Sequence, residues 1–151
     1  MQVRPYRDSD FEQLIAGWRA ASVVAHPFLT PDFLEAEAES VRDVYIDAAD
    51  SWVVELDGKV VGFIALLGGE IGALFVHPNH WRSGIGRALV NQAVESHSRL
   101  HLVVFAENTI GRAFYKRYGF VEGDRSLHKA TGQEVIRMEF VATPESKHQS
   151  S

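Results

Sequence analysis

The chain alternates between two hydrophobic periods, and the points where one yields to the other divide it into elements. Residues 2–6 carry the two-residue alternation of a short strand. Behind them Phe11, Leu14, Ile15 and Trp18 recur at helical spacing, with Asp8 positioned to cap the helix. The segment HPFLTP at 26–31 breaks that period with two prolines. Thr30 followed by Pro31 then supplies a cap and a first-turn residue for a second helix running towards Tyr45. SWVVEL, Asp57-Gly58 and KVVGFIALL form a hairpin signature, because Asp-Gly supports the positive backbone angles of a tight turn. EIGALFVHP is a further strand, and 84–97 a helix with Leu89, Ala93 and His97 along one stripe. RLHLVVF is a strand and NTIGRAFYKRYGF a helix stopped at Gly119. The chain then closes in a hairpin turning at Thr131-Gly132 into EVIRMEF. Strand and helix alternate without an internal repeat or a Gly/Ser linker. This predicts a single α/β domain over 1–141, followed by a disordered tail over 142–151. Trp18, Trp52 and Phe63 fall on periodic faces as core aromatics.

Composition narrows what such a domain can do. At 151 residues, 46% hydrophobic and 23% charged, the chain can build the core of an ordinary soluble domain. The apolar run at 60–67 is interrupted by Gly62 and falls far short of the roughly 20 residues that cross a bilayer. No apolar stretch follows the start MQVRPYRDSD, so no membrane partner and a cytoplasmic location are expected. The absence of cysteine excludes disulfides, thiolate metal sites and a cysteine nucleophile. His77 and His80 flank Pro78 with no cluster to complete a ligand set, so no metal is expected. A formal charge of -5 argues against nucleic acid as the main partner, although Arg82, Arg87, Arg112, Lys116 and Arg117 gather near two motifs. The acidic run from Glu35 to Glu39 reads as a solvated helix face, or as an attraction for a cationic partner.

Candidate chemistry sits at two junctions. In EIGALFVHP, NHWRS and GIGRALVNQAV a strand passes through a glycine-rich turn into a helix, which aims free backbone N–H groups outward. Gly84 and Gly86 remove side chains where an anion must approach, while Leu89 and Val90 anchor the helix beneath; the plain alternative is a strand-to-helix turn. Neither the dinucleotide fingerprint nor the Walker motif is matched in register. In the second junction, AENTIGRAFYKRYGF, Asn108 starts a helix and Tyr115 follows seven residues on, nearly two turns later and on the same face. Either residue also has a structural reading, Asn108 as a cap and Tyr115 as core.

Together, in this order, the two junctions resemble the GNAT N-acetyltransferase superfamily over nearly the whole chain. Its coenzyme motif, Q/R-x-x-G-x-G/A, is matched here by Trp81, Arg82, Ser83, Gly84, Ile85 and Gly86. The downstream N-x-x-A-x-x-F-Y-x-x-x-G-F pattern is matched by Asn108, Phe114, Tyr115, Gly119 and Phe120. Trp81 stands at the usual Gln/Arg position, with Arg82 beside it, and Gly111 at the usual alanine. The HPFL segment, VRDVY and WVVELDGKVVGF are similar to a subgroup of small bacterial members that includes protein lysine acetyltransferases.

The resemblance implies a mixed, mostly antiparallel sheet of six to seven strands, splayed in a V between the fourth and fifth and flanked by about four helices. It implies acetyl-CoA as co-substrate and a primary amine as acceptor, on a protein lysine, an N-terminus or a small molecule; a homodimer is compatible with it. A domain that binds acyl-CoA as a sensor without turnover is the non-enzymatic alternative. By resemblance, backbone N–H groups from Arg82 to Arg87 hold the diphosphate, and Leu74, Phe75 and Val76 pair with the pantetheine arm. The Val76 amide, or that of Phe75 or Leu74, faces the thioester oxygen. Asn108 binds the coenzyme arm, caps its helix, or does both. The Tyr115 phenol protonates the departing thiolate or hydrogen-bonds to it. A lysine ammonium must lose a proton before it attacks, and Glu70 is the first candidate to receive it, with His26 the second. Their plain readings are an exposed strand-end carboxylate and a turn cap.

Overall fold

A computed structural model of the protein describes residues 1–46 and 50–143. In chain order the elements are β1 (Gln2–Pro5), α1 (Phe11–Ala25), α2 (Pro31–Ser40), β2 (Asp50–Leu56), β3 (Lys59–Leu67), β4 (Glu70–Val76), α3 (Ile85–Ser96), β5 (Arg99–Phe105), α4 (Thr109–Tyr118), β6 (Val121–His128) and β7 (Gln133–Val141). The strands form a seven-stranded sheet in the order β1-β2-β3-β4-β5-β7-β6, in which β4 and β5 are the parallel neighbours. Every other neighbouring pair is antiparallel.

The continuous apolar run 60–67 is explained by β3, which lies between β2 and β4 and is buried on both faces. Alternation sends Phe63 and Ala65 to one side with Val53, Phe75 and Leu14 of α1. It sends Ile64 and Leu66 to the other with Val54, Leu89 and Val90 of α3. Phe63 is fully buried, while Trp18 and Trp52 are half-buried, each packed against one of these two clusters. The Asp57-Gly58 turn has φ of 53 and 77°, the geometry expected of a two-residue hairpin.

Thr30 caps α2 as its sequence predicts, its hydroxyl accepting the Phe33 N–H at 3.2 Å. Two boundaries differ from expectation. Asp8 opens a short 3-10 turn rather than capping α1; Asp10 stands at the α1 N-cap position, but its carboxylate turns back to close the 3-10 turn, accepting the Arg7 N–H at 2.8 Å. Asp10 is drawn inward by Arg4, whose guanidinium donates to both of its oxygens at 2.9 Å. The helix expected to run towards Tyr45 ends at Ser40, and one wide turn over Val41–Ile46 continues it, with Val41 buried. At the other end, Ala142 packs against the core and donates its N–H to the Ser98 carbonyl at 2.7 Å, so it belongs with the domain rather than the expected tail. Residues 144–151 of that tail lie outside the described residues. No helix among the described residues is long and apolar enough to cross a membrane.

Candidate active site

The parallel neighbours β4 and β5 are paired at a single register position, Glu70 with His101, where the His101 N–H also donates to the Gly69 carbonyl at 3.0 Å. Beyond it β5 stays with β7 as far as Phe105 while β4 stays with β3, so a wedge opens between them. Backbone alternation decides which groups of β4 face that wedge. The His77 N–H donates to Val61 of β3 at 2.8 Å, so Phe75, two residues back, also faces β3, and Val76 and Leu74 face the gap. Of the three amides expected at a thioester oxygen, that of Phe75 is thereby removed, because it is turned towards the neighbouring strand. The Val76 carbonyl, which points the same way as its N–H, accepts the Trp81 indole N–H at 2.7 Å. Trp81 therefore turns inward to the strand edge and offers nothing to an anion.

The turn before α3 is shaped for backbone donors. Arg82 has φ of 65° and Gly84 of 87°, both left-handed, and this winding leaves the first N–H groups of α3 facing outward at Ile85, Gly86 and Arg87. Gly84 is required by its angle, since a Cβ there would meet open space. Gly86 answers a different need: a Cβ would lie 3.0 Å from the Phe114 ring, so the glycine lets α4 pack on α3. The Ser83 hydroxyl donates to the His80 carbonyl, which leaves only the backbone of Ser83 free. The side chains of Arg82, Arg87 and Arg117 line the same cavity, Arg87 lying 5.0 Å over the Tyr118 ring.

At the start of α4, Asn108 is buried and its amide oxygen accepts the Gly111 N–H at 2.9 Å, capping the helix. With the oxygen so fixed, the amide nitrogen donates to His26 Nε2 at 3.3 Å, and the imidazole proton sits on Nδ1. A Cβ on residue 111 would come within 2.6 Å of that nitrogen, so glycine in place of alanine is what allows Asn108 to fold back and reach His26. Burial lowers the His26 pKa from its ordinary 6.5, which keeps the ring neutral. Tyr115, two turns along, is buried between Phe114 and Phe120, and burial pushes its phenol pKa upward. The phenol has no hydrogen-bond partner among the described residues, yet no buried side-chain oxygen is left unsatisfied; the hydroxyl therefore opens into the cavity that Tyr115 lines.

Most of these groups line one cavity of about 930 Å³; Ser83 and Ile85 do not, the Ile85 side chain being buried in the core. Leu74, Phe75, Val76, Gly84, Gly86 and Tyr115 are on its wall, as are Glu70, at the closed end of the wedge, and His26. Of what lines the opposite mouth, the sequence singled out His26 but none of its ring partners. There His26 meets Phe105 at 5.5 Å, Phe105 meets His128 at 5.3 Å and His128 meets Phe33 at 5.8 Å, a chain of edge-to-face rings with Phe28 behind it. Glu37 of α2 lines it as well, half-buried, with its pKa raised by burial and drawn back by His128. Besides His26, the sequence signal for this wall was the acidic run 35–39, in which Glu37 could not be told from its neighbours.

A family model described as Acetyltransferase (GNAT) domain matches residues 47–122, which reach from the approach to β2 as far as the start of β6. Among named proteins, the chain is 33% identical over 119 residues to the peptidyl-lysine N-acetyltransferase YiaC of Escherichia coli, covering 78% of this chain and 82% of that one. It is 35% identical over 127 residues to the peptidyl-lysine N-acetyltransferase YjaB of Salmonella typhimurium, covering 83% and 87%. The solution structure of apo YjaB from Escherichia coli superposes with a TM-score of 0.82 at 28% identity, over 94% of this chain and 98% of that one.

Proposed function

The chain belongs to the GNAT acetyltransferase family and is an N-acetyltransferase, and from that premise we propose that it moves an acetyl group from acetyl-CoA to the side-chain amine of a peptidyl lysine. The observation that carries the reading is that one cavity joins a turn of free amides, an unpaired strand edge and a ring-lined mouth. Use of acetyl-CoA also favours a cytoplasmic location, where that metabolite is available.

In this reading the backbone N–H groups from Arg82 to Arg87 take the diphosphate, and the Arg82 and Arg87 side chains add charge. Phe75 packs the strand onto Phe63, while the edge at Leu74 and Val76 receives the pantetheine arm as an added strand. The arm competes with Trp81 for the Val76 carbonyl. The Val76 N–H points into the gap and stabilises the charge that the thioester oxygen gains when the amine nitrogen attacks its carbon. As the new C–N bond forms and the C–S bond breaks, sulfur leaves as a thiolate. Tyr115, held in its phenol form by burial, gives it a proton, and the second proton of the attacking nitrogen, lost as the amide forms, restores the phenol directly or through water.

The acceptor ammonium, with an ordinary pKa near 10.4, must first lose a proton. Glu70 lines the cavity and takes it directly or through water. His26 is neutral, but its basic Nε2 is engaged by Asn108. It accepts a proton only once Asn108 turns to the coenzyme arm, which is also how the two expected roles of Asn108 are reconciled.

Incubation with isotopically labelled acetyl-CoA and a lysine peptide, followed by mass spectrometry, tests the reading. One labelled acetyl group on the lysine Nε and an equal release of CoA are expected. Label found only on a small-molecule amine would overturn the acceptor, and binding of CoA without any transfer would overturn the activity.

A further inference from the structure

Helix α2 carries three carboxylates at alternate positions, Glu35, Glu37 and Glu39, and a step of two residues turns a helix by about 200°. Successive members of the run therefore cannot share a face. Glu35 is exposed and pairs with Arg19 at 3.1 Å, and Glu39 is exposed. Glu37 is turned the other way, onto the stripe of Phe33, Leu34 and Val41 that lines the cavity. Its carboxylate makes no salt bridge or hydrogen bond among the described residues, although Arg82, Arg87 and Arg117 line the same cavity. Since no buried side-chain oxygen is left unsatisfied, the carboxylate is open to the cavity space.

A half-buried carboxylate among rings, whose one charge partner is the His128 imidazole and which no lysine or arginine bridges, is poorly compensated in the free protein. It is well placed for a ligand that brings its own positive charge. Around it the Phe33, Phe105 and His128 rings offer apolar faces suited to a methylene stem and to the cation at its end. Resting on the acetyltransferase reading, we propose that Glu37 is the counter-ion of the acceptor. It holds the ammonium of a primary alkylamine at the ring-lined mouth, and so selects a charged amine on a flexible alkyl stem over neutral amines. Glu70 at the closed end of the wedge then serves proton removal, and Glu37 serves recognition.

The test is equilibrium binding, which does not require turnover. Nα-acetyl-lysine methylamide and its uncharged norleucine counterpart are titrated by NMR into the CoA-saturated protein, with the His128 and Phe105 resonances as reporters. Binding of the lysine amide is expected with norleucine at least about tenfold weaker, and Glu37→Gln should weaken the lysine amide by about tenfold while Glu37→Asp retains part of the affinity. An unchanged CoA affinity and circular dichroism spectrum show that Glu37→Gln remains folded. Equal binding of lysine and norleucine amides, or an unchanged lysine affinity in Glu37→Gln, would overturn the inference even if acetyl transfer proceeds. Charge-selective binding lost in Glu37→Gln, in a wild-type protein that transfers no acetyl group, would leave it standing while the acetyltransferase reading failed.

Discussion

The two ends of the cavity are made of different material. At the turn before α3 the groups offered to a ligand are main-chain amides, aimed by two left-handed residues, Arg82 and Gly84, and by the first turn of a helix. At the opposite mouth they are side chains from the α1–α2 loop, α2, β5 and β6, brought together by the strand order β4-β5-β7-β6. The first construction is local, and it is insensitive to side-chain identity wherever the backbone path is kept. The second depends on long-range assembly, and exchanging any of its rings alters it. One end therefore suits a constant ligand and the other an acceptor that varies.

Substitutions can break that contrast. The largest effect is expected between the two ends: Tyr115→Phe keeps the ring packing and removes the hydroxyl proposed to protonate the thiolate. Turnover should fall by about a hundredfold or more in a steady-state assay, with little change in CoA affinity. Gly84→Val places a branched side chain at φ of 87° and should weaken CoA binding by up to about a hundredfold in calorimetry. Lysine-amide binding at the other mouth should be largely unaffected.

Gly111→Ala sharpens the comparison because it acts on the link between the ends. Its Cβ would collide with the Asn108 amide, so the tie to His26 should break, raising the KM for the acceptor by about tenfold. The smallest effect is on stability against pH. Arg112, with Lys116, holds the Glu122 carboxyl down at about 2, against an ordinary 4.5. As pH falls the unfolded chain takes that proton first, so the stability present above pH 4.5 is lost between 4.5 and about 2. His26 is also lowered from 6.5, and its loss begins as pH falls below that value. A melting curve series should show Tm declining through both windows, and Arg112→Met should flatten the lower one.

The same contrast governs what the sequence reveals. The hairpin at Asp57-Gly58, the cap at Thr30 and the stop at Gly119, where φ is 125°, are written in adjacent residues and are realised as read. The glycine turn is legible for the same reason. Asp10 rather than Asp8 stands at the start of α1, its carboxylate turned back to Arg4 on β1, a tertiary fact that no local rule carries. Trp81 at the usual Gln/Arg position was visible, but its inward turn to Val76 depends on the carbonyl that the wedge exposes. Phe105, His128 and Glu37 went unnoticed since each, in its own segment, is an ordinary strand or helix residue. Only the departure of β5 from β4, and its pairing with β7, sets them around one opening.

The most direct measurement is a titration of nitrogen-labelled protein with CoA, following each backbone amide by NMR. Saturable shifts concentrated at Ile85, Gly86, Arg87, Leu74 and Val76, with the His128 and Phe33 signals left nearly in place, are the predicted result. Saturation that leaves those five amides unmoved, or that shifts the ring-lined mouth first, would contradict it.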